Sequence, residues 1–508
     1  FHENEGLFLI NAEINDLALH YQTGWMDASG LQVQAEFRNM GFSATATTGV
    51  VNGMTIESAS GGIADFHDAQ LRLKAQVRGT LDQGLQYMQQ SPAGPMIGGL
   101  FQQLNGKGTL QGQATMFLPF KEMAKRQIDV DVRLQDSAIG LASSSEQATQ
   151  INGKFHVANE SITGVSLQGE FLRGPLSAYS TTDHGNNVVV TGRATAGPLA
   201  AFLKLPSFVR IDGEMNYRLT TPGYVQRDAN GKRLLFSVDS DLTGLQLNMP
   251  APVNKPAGIP RPIHVDAEML DKDVMQLRGS HDMLRSLVRL QDDKQGWHFD
   301  RAGLRVDGVA AALPGEPGLR IEGTLAELKL DDWLKLGSVS VENDKQPQDK
   351  GLQNKPSQDK PTQDKPTQDK KYLANTTHVQ DILRSANVNV GKLHLYGFDW
   401  QNIRAVLQAT DDSWRVDVAG DSATGQINVP YVFDSRPMNI DMDKLTLTTN
   451  DSAHDGSTAR KGSQLDPREL PGLQVDIRSF YFGEHGLGAL QLHADRTPQG
   501  LQVDNIQI

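Results

Sequence analysis

Asp129 and Asp131, Asp239 and Asp241, and Asp441 and Asp443 are the carboxylate pairs whose spacing first raises the question of chemistry. Clustered acids can hold calcium, and two acids from separate strands can cleave a glycosidic bond. A calcium loop also needs a glycine turn and a later glutamate in register, and none of the pairs is followed by that combination. Val130 and Met442 sit inside two of the pairs. Residues two apart on a strand share a face, so the acids are expected on the wet side of strands. The 13 histidines are scattered. His67 lies near Asp65 and Asp68, and His394 sits between Leu393 and Leu395, but neither has metal-ligand spacing. Gly106-Lys107-Gly108 with Gly112 has the wrong spacing for a phosphate loop, and strand-like residues follow it. No G-x-S-x-G elbow and no cysteine are present. Trp25, Trp297, Trp333, Trp400 and Trp414 are expected to be strand anchors rather than sugar platforms. The sequence thus offers no catalytic residue, no metal ligand set and no cofactor site.

The bulk properties exclude further classes. The chain has 508 residues and a formal net charge of -12, from 48 basic and 60 acidic side chains. A nucleic-acid binder would carry a basic excess or stripe, and neither exists here. No apolar run approaches the roughly 20 residues that cross a bilayer. The chain starts at Phe1 and both ends read as cut from something longer, so a membrane anchor is expected outside it. The length exceeds what one compact core holds, which points to several domains or one elongated, repeated architecture.

What remains is a strand signal. Val33, Ala35 and Phe37 alternate with polar residues, as do Leu71, Leu73 and Val77, and then Ile128, Val130, Val132 and Leu134. The same period of two recurs in Phe236 and Val238, Leu245 and Leu247, Val388 and Val390, and Val416 and Val418. It closes with Leu445 and Leu447, then Leu473, Val475 and Ile477. Each run has one dry and one wet face. Val51-Asn52-Gly53, Ile151-Asn152-Gly153 and Ala229-Asn230-Gly231 read as hairpin turns, which argues for antiparallel meanders. Helices are few: Leu81 to Leu104 broken at its prolines, Gly197 to Leu205, Asp331 to Leu336, and Thr377 to Ala386. These cannot cover so many dry faces. Either two sheets stack or one sheet curls on itself, and the pattern alone leaves both open.

The stretch from Ser338 to Lys371 repeats Lys-Pro-Ser/Thr-Gln-Asp and has almost no apolar residue, so no core is expected there. The expected organisation is a first β-segment over 1–337, with a helical insertion near 81–105, a flexible insertion over 338–372, and a second β-segment over 373–508 that opens with a short helix.

Several phrases, in order along nearly the whole chain, resemble the YhdP group of the AsmA-like proteins. They are Leu9-Ile10-Asn11-Ala12 with Gly24-Trp25, then Gln90-Ser91-Pro92 with Leu118-Pro119-Phe120. Leu313-Pro314-Gly315 with Asp331-Asp332-Trp333-Leu334, and Asp466-Pro467-Arg468-Glu469-Leu470-Pro471, complete the series. The Lys-Pro-Thr-Gln-Asp repeat departs from the pattern. The resemblance implies an elongated, twisted antiparallel β-sheet curled into a groove, tethered to the inner membrane and spanning the periplasm. It implies a non-enzymatic conduit carrying phospholipid acyl chains toward the outer membrane, lined by the alternating aliphatics named above. Both membranes would be reached through regions outside this chain, with other periplasmic or membrane proteins as further partners. Two other functions remain open at this stage: a scaffold for outer-membrane protein assembly, working through exposed strand edges, and a carbohydrate-binding β protein.

Overall fold

The computed structural model describes residues 6–508 except 21–22, 92–103, 142–145, 160, 183–185, 207, 224–232, 294–295, 335–378, 433–435, 449–470 and 498. Its strands form one 27-stranded sheet. Each strand pairs with the next in chain order, with one local elaboration. There the strand Ile211–Pro222 pairs at one end with Arg233–Ser240 and at the other with the short strand Leu245–Leu247. At about 4.8 Å per strand the sheet runs about 125 Å along its contour. Among the described residues the first strand, Leu9–Leu19, does not pair with the last, Gly500–Gln507, so the sheet is open.

Most pairings are antiparallel, as the hairpin signals predict. Three are parallel and make the sheet mixed: Trp297–Arg305 with Gly318–Lys329, Gly318–Lys329 with Leu383–Leu395, and Met438–Leu447 with Leu473–Phe482. A parallel pair needs a long crossover, because the chain must return to the end where it started. The long low-complexity stretch lies in one of these crossovers. The strands before and after it pair from Leu319↔Leu383 to Lys329↔His394, so the sheet continues across it. The crossover after Arg305 passes over the polar face. A Cβ added to Gly303 would lie 2.1 Å from the Ala312 carbonyl oxygen, and Arg301 donates to Gly315 O at 2.6 Å.

Local signals were obeyed where the sheet left room. Asn52 and Gly53 have φ of 47° and 75° and close a two-residue hairpin. Ile151-Asn152-Gly153 does not turn. It continues inside the strand Gln147–Ala158, where Gly153 has φ 136° and packs against the Ser166 carbonyl. Ala229-Asn230-Gly231 lies outside the described residues. The helix expected from Leu81 runs to Gln90, started by a capping box between Thr80 and Gln83. The second helix is Ala196–Phe202, and a third short turn covers 330–334. Among the described residues the helix expected over Thr377 to Ala386 covers Val379–Ile382 and stops there, because Leu383 begins a strand that pairs on both sides.

The sheet has two long rims. The first carries the turns at Asn52–Gly53, Leu172–Arg173 and Asp282–Met283. The second carries those at Asn39–Met40, 64–69, 120–126 and Lys272–Asp273. The helices Leu81–Gln90 and Ala196–Phe202 and the turn 330–334 all leave strands at the first rim. Four apolar clusters lie along the sheet, three built from neighbouring strands and a helix and the fourth from strands alone. Among the described residues no cluster unites strands from distant parts of the sheet, as a face-to-face sandwich would. The sheet curls on itself instead.

A candidate apolar trough

Strand register decides which side chains share a face. In the first third of the sheet the pairs Ile14–Val33, Val33–Ala46, Ala46–Ala59, Ala59–Ala75 and Ala75–Ala114 follow one another. The row goes on through Ala114–Val130, Val130–Val157 and Val157–Ile162. Two inner-face positions toward the first rim, Leu134, Gly153, Leu167, Ala178, Val190, Leu219, Val238 and Val265 are paired in turn. Phe236–Ala267 then opens the row Ala267, Leu277, Val288, Ala302 and Leu319. The last third reads Ile321, Ala386, Leu407, Val416, Ile427, Ile440, Val475, Leu492 and Ile506. Directly paired side chains have Cβ atoms about 5 Å apart, so each row is a strip of hydrocarbon, broken in the second row where Gly153 has no side chain.

Every aliphatic candidate named from the sequence falls on this one face, but at two depths. Val33, Ala35, Leu134, Leu245, Val390, Leu445 and Ile477 are buried. Val33 and Ala35 pack with Leu31 and Met54, Leu134 with Leu81 and Ile151, Leu245 with Leu199 and Met215, and Leu445 and Ile477 with Ile403 and Met442. Phe37, Leu71, Leu73, Val77, Ile128, Val130, Val132, Phe236, Val238, Leu247, Val388, Val416, Val418, Leu447, Leu473 and Val475 are half-buried. In the strand Gln70–Thr80, half-buried Leu71, Leu73, Ala75 and Val77 alternate with exposed Arg72, Lys74, Gln76 and Arg78. A filled interior would bury such residues fully, and a flat sheet would expose them. A concave wall leaves them between.

Polar groups do occur on the inner face, mostly near the first rim. Ser286 pairs with Gly279, and His281 pairs with Ile263 while its Nδ1 lies 2.9 Å from Pro262 O. The Ala267–Leu277–Val288 row passes beside them. The Tyr217 ring lies across Gly192, where an added Cβ would stand 2.5 Å from its hydroxyl. That hydroxyl has no hydrogen-bond partner among the described residues, and burial pushes its pKa up to about 12. It stays neutral at any ordinary pH.

The reactive-looking residues lie on the other face. His156 bridges Asp131 at 3.0 Å and Asp129 at 3.3 Å. His264 bridges Asp239 at 2.7 Å and Asp266 at 3.1 Å, and the Asp239 hydrogen bond raises its pKa against the effect of burial. Arg478 pairs with Asp443 and approaches Asp441. His394 sits between Glu327 and Asp399. These are cross-strand ion pairs on a wet sheet surface. An open hollow of about 730 Å³ also lies on this side, lined by Ser177, Thr191, Arg193, Arg218 and Asp239. Sequence spacing gave no sign of one grouping, His493, Asp495 and Asp504, whose ligand atoms come within 4.8 Å of one another. The register slips between His493 and Ala494, and this bulge brings Asp504 beside them. Four of the tryptophans are engaged by local contacts. Trp25 lies 5.5 Å from Tyr87, Trp414 lies 4.9 Å from Tyr431, Trp400 packs in a cluster, and Trp333 donates to Ala251 O at 2.9 Å.

An open, mostly antiparallel sheet with a largely hydrocarbon inner face, and cross-strand ion pairs on the other, defines the class: a β-trough protein. The chain belongs to the YhdP family, whose model, described as YhdP protein, matches residues 1–508. It is similar to the intermembrane phospholipid transporter YhdP of Escherichia coli (strain K12), with 22% identity over 280 residues. That match covers 53% of this chain and 21% of the relative, so the chain spans about a fifth of the relative's length. No solved structure matches the chain. No helix among the described residues is long and apolar enough to cross a membrane.

Proposed function

We propose that this chain is a segment of a periplasmic lipid conduit whose trough holds phospholipid acyl chains as they move from the inner toward the outer membrane. The observation that carries the proposal is the paired aliphatic strip, left half-buried from strand to strand. Each methylene removed from water is worth about 0.8 kcal/mol, so a free diacyl lipid rarely enters an aqueous gap. A wall of Val, Leu, Ile and Ala removes that penalty without favouring any one position. A catalytic centre would instead need convergent polar groups in a pocket, whereas the inner face is mostly hydrocarbon, with Ser286, His281 and Tyr217 among its polar exceptions. The name of the E. coli relative supports the same substrate class.

The packed tryptophans weigh against the carbohydrate alternative. The scaffold alternative keeps one supporting observation, the exposed Ile10, Ile14 and Leu19 on the first strand. Native mass spectrometry on gently purified protein separates the two. Phospholipid is expected to co-purify, and a lower lipid stoichiometry with Val130→Asp would tie it to the trough. Client peptide in place of lipid would overturn the proposal.

A further inference from the structure

The trough has two unlike rims. On the first rim the helix Leu81–Gln90 is pressed onto the inner face. A Cβ on Gly106 would lie 2.6 Å from Leu81 Cγ, and one on Gly84 would lie 2.8 Å from a Leu110 methyl. Nothing as thick as an acyl chain fits between helix and sheet there. The helix Ala196–Phe202 does the same farther along, with Phe202 edge-on to Phe171 at 5.4 Å and Leu199 buried against Met215 and Leu245. The turn 330–334 is tied down at the same rim, Asp331 accepting from Tyr396 N at 2.9 Å.

The second rim differs. From Leu9 to Arg305 its described residues form only hairpin ends and the 3-10 turns Phe66–Asp68 and Met123–Lys125. Both rims expose large apolar side chains, Met283 at 60% and Leu203 at 54% on the first and Phe8 at 42%, Met40 at 38%, Phe66 at 44% and Phe120 at 50% at the tips of the second, so the helices and not the exposure tell the rims apart. Backbone hydrogen bonds stitch the tips into a ledge, Asn39 N to Phe8 O at 2.9 Å, Phe66 N to Met40 O at 2.8 Å, and Phe120 N to Ala69 O at 3.1 Å. Exposed apolar groups in a contiguous line mark a contact surface. This line continues the inner wall past the strand ends, where the first methylenes below a headgroup would lie.

We infer that the trough is one-sided: phospholipid tails lie against the inner face while the phosphate-bearing headgroups project over the second rim, and the helices keep lipid from leaving by the first. The inference rests on the reading of the trough as a lipid conduit. Two photoreactive phospholipids test it on the full chain, one with the reactive group at the headgroup and one with it at the acyl terminus. Crosslinked peptides are then located by mass spectrometry. The headgroup probe is expected to mark peptides holding Met40, Phe66 and Phe120 several-fold more than those holding Tyr87, Leu203 and Tyr396. The acyl probe is expected to mark those holding Leu73 and Val130. Equal or reversed headgroup labelling, with acyl labelling intact, would overturn the sidedness alone. Absence of acyl labelling from the inner-face peptides would overturn the conduit and the sidedness together.

Discussion

Val130 and Ile477 read alike in the sequence, each an aliphatic residue between polar neighbours, and the structure gives them different jobs. Val130 is half-buried on the wall, whereas Ile477 is 2% exposed in a cluster with Ile403 and Met442. Val130→Asp should therefore leave its carboxylate wet, lower the melting temperature little, and abolish lipid transfer between donor and acceptor vesicles. Ile477→Asp should cost about 4 kcal/mol in a denaturant titration, because a buried unpaired charge has no compensation. Equal destabilisation by both would mean that Val130 also lies in a closed core. The period of two made the face legible, but depth depends on curl, which no single strand encodes. On the polar face, His264 gives a pH effect of known sign. Its folded-state pKa is raised by Asp239, with Asp266 on its other side. The stabilisation is present in full below the ordinary histidine value of 6.5 and fades as pH rises through the raised value. Melting temperature should fall over that window, and His264→Gln should flatten the fall.

Among the elements, the crossovers decide whether the trough stays open. The connection after Arg305 runs over the outer face, and Gly303 is the residue that lets it approach. Gly303→Val would drive a side chain into the Ala312 carbonyl, and backbone on both sides leaves little relief. A loss of roughly 2 kcal/mol is expected from such overpacking, read as a lower denaturation midpoint. Lipid binding by the remaining folded protein should persist, since the inner face is untouched. The parallel joins were not legible in the sequence, because hairpin signals report only local turns. Ile151-Asn152-Gly153 shows the same limit. Its turn chemistry was overridden by pairing on both sides, and the glycine was used for close backbone approach instead. Thr377 to Ala386 looked helical for its capping residue and apolar spacing, yet from Leu383 onward two neighbouring strands claimed the backbone.

At the scale of the whole molecule, a continuous strip behaves differently from a set of independent sites. Val130 and Val416 lie far apart in strand order, each on the half-buried wall. In a conduit every lipid must pass both, so an obstruction at either acts in series. Val130→Asp and Val416→Asp should each stop vesicle-to-vesicle transfer, and the double variant should be no worse than either single one. Bound phospholipid per chain should fall only by the local share in each single variant, because the rest of the strip still shields tails. Independent binding sites would give the opposite signature: partial loss of transfer in each single variant and multiplied loss in the double. The comparison uses transfer rate and lipid stoichiometry from the same preparations, with melting curves confirming that the variants fold. Strict series behaviour requires the paired rows to follow one another from the first third of the sheet to the last, which strand register alone can provide.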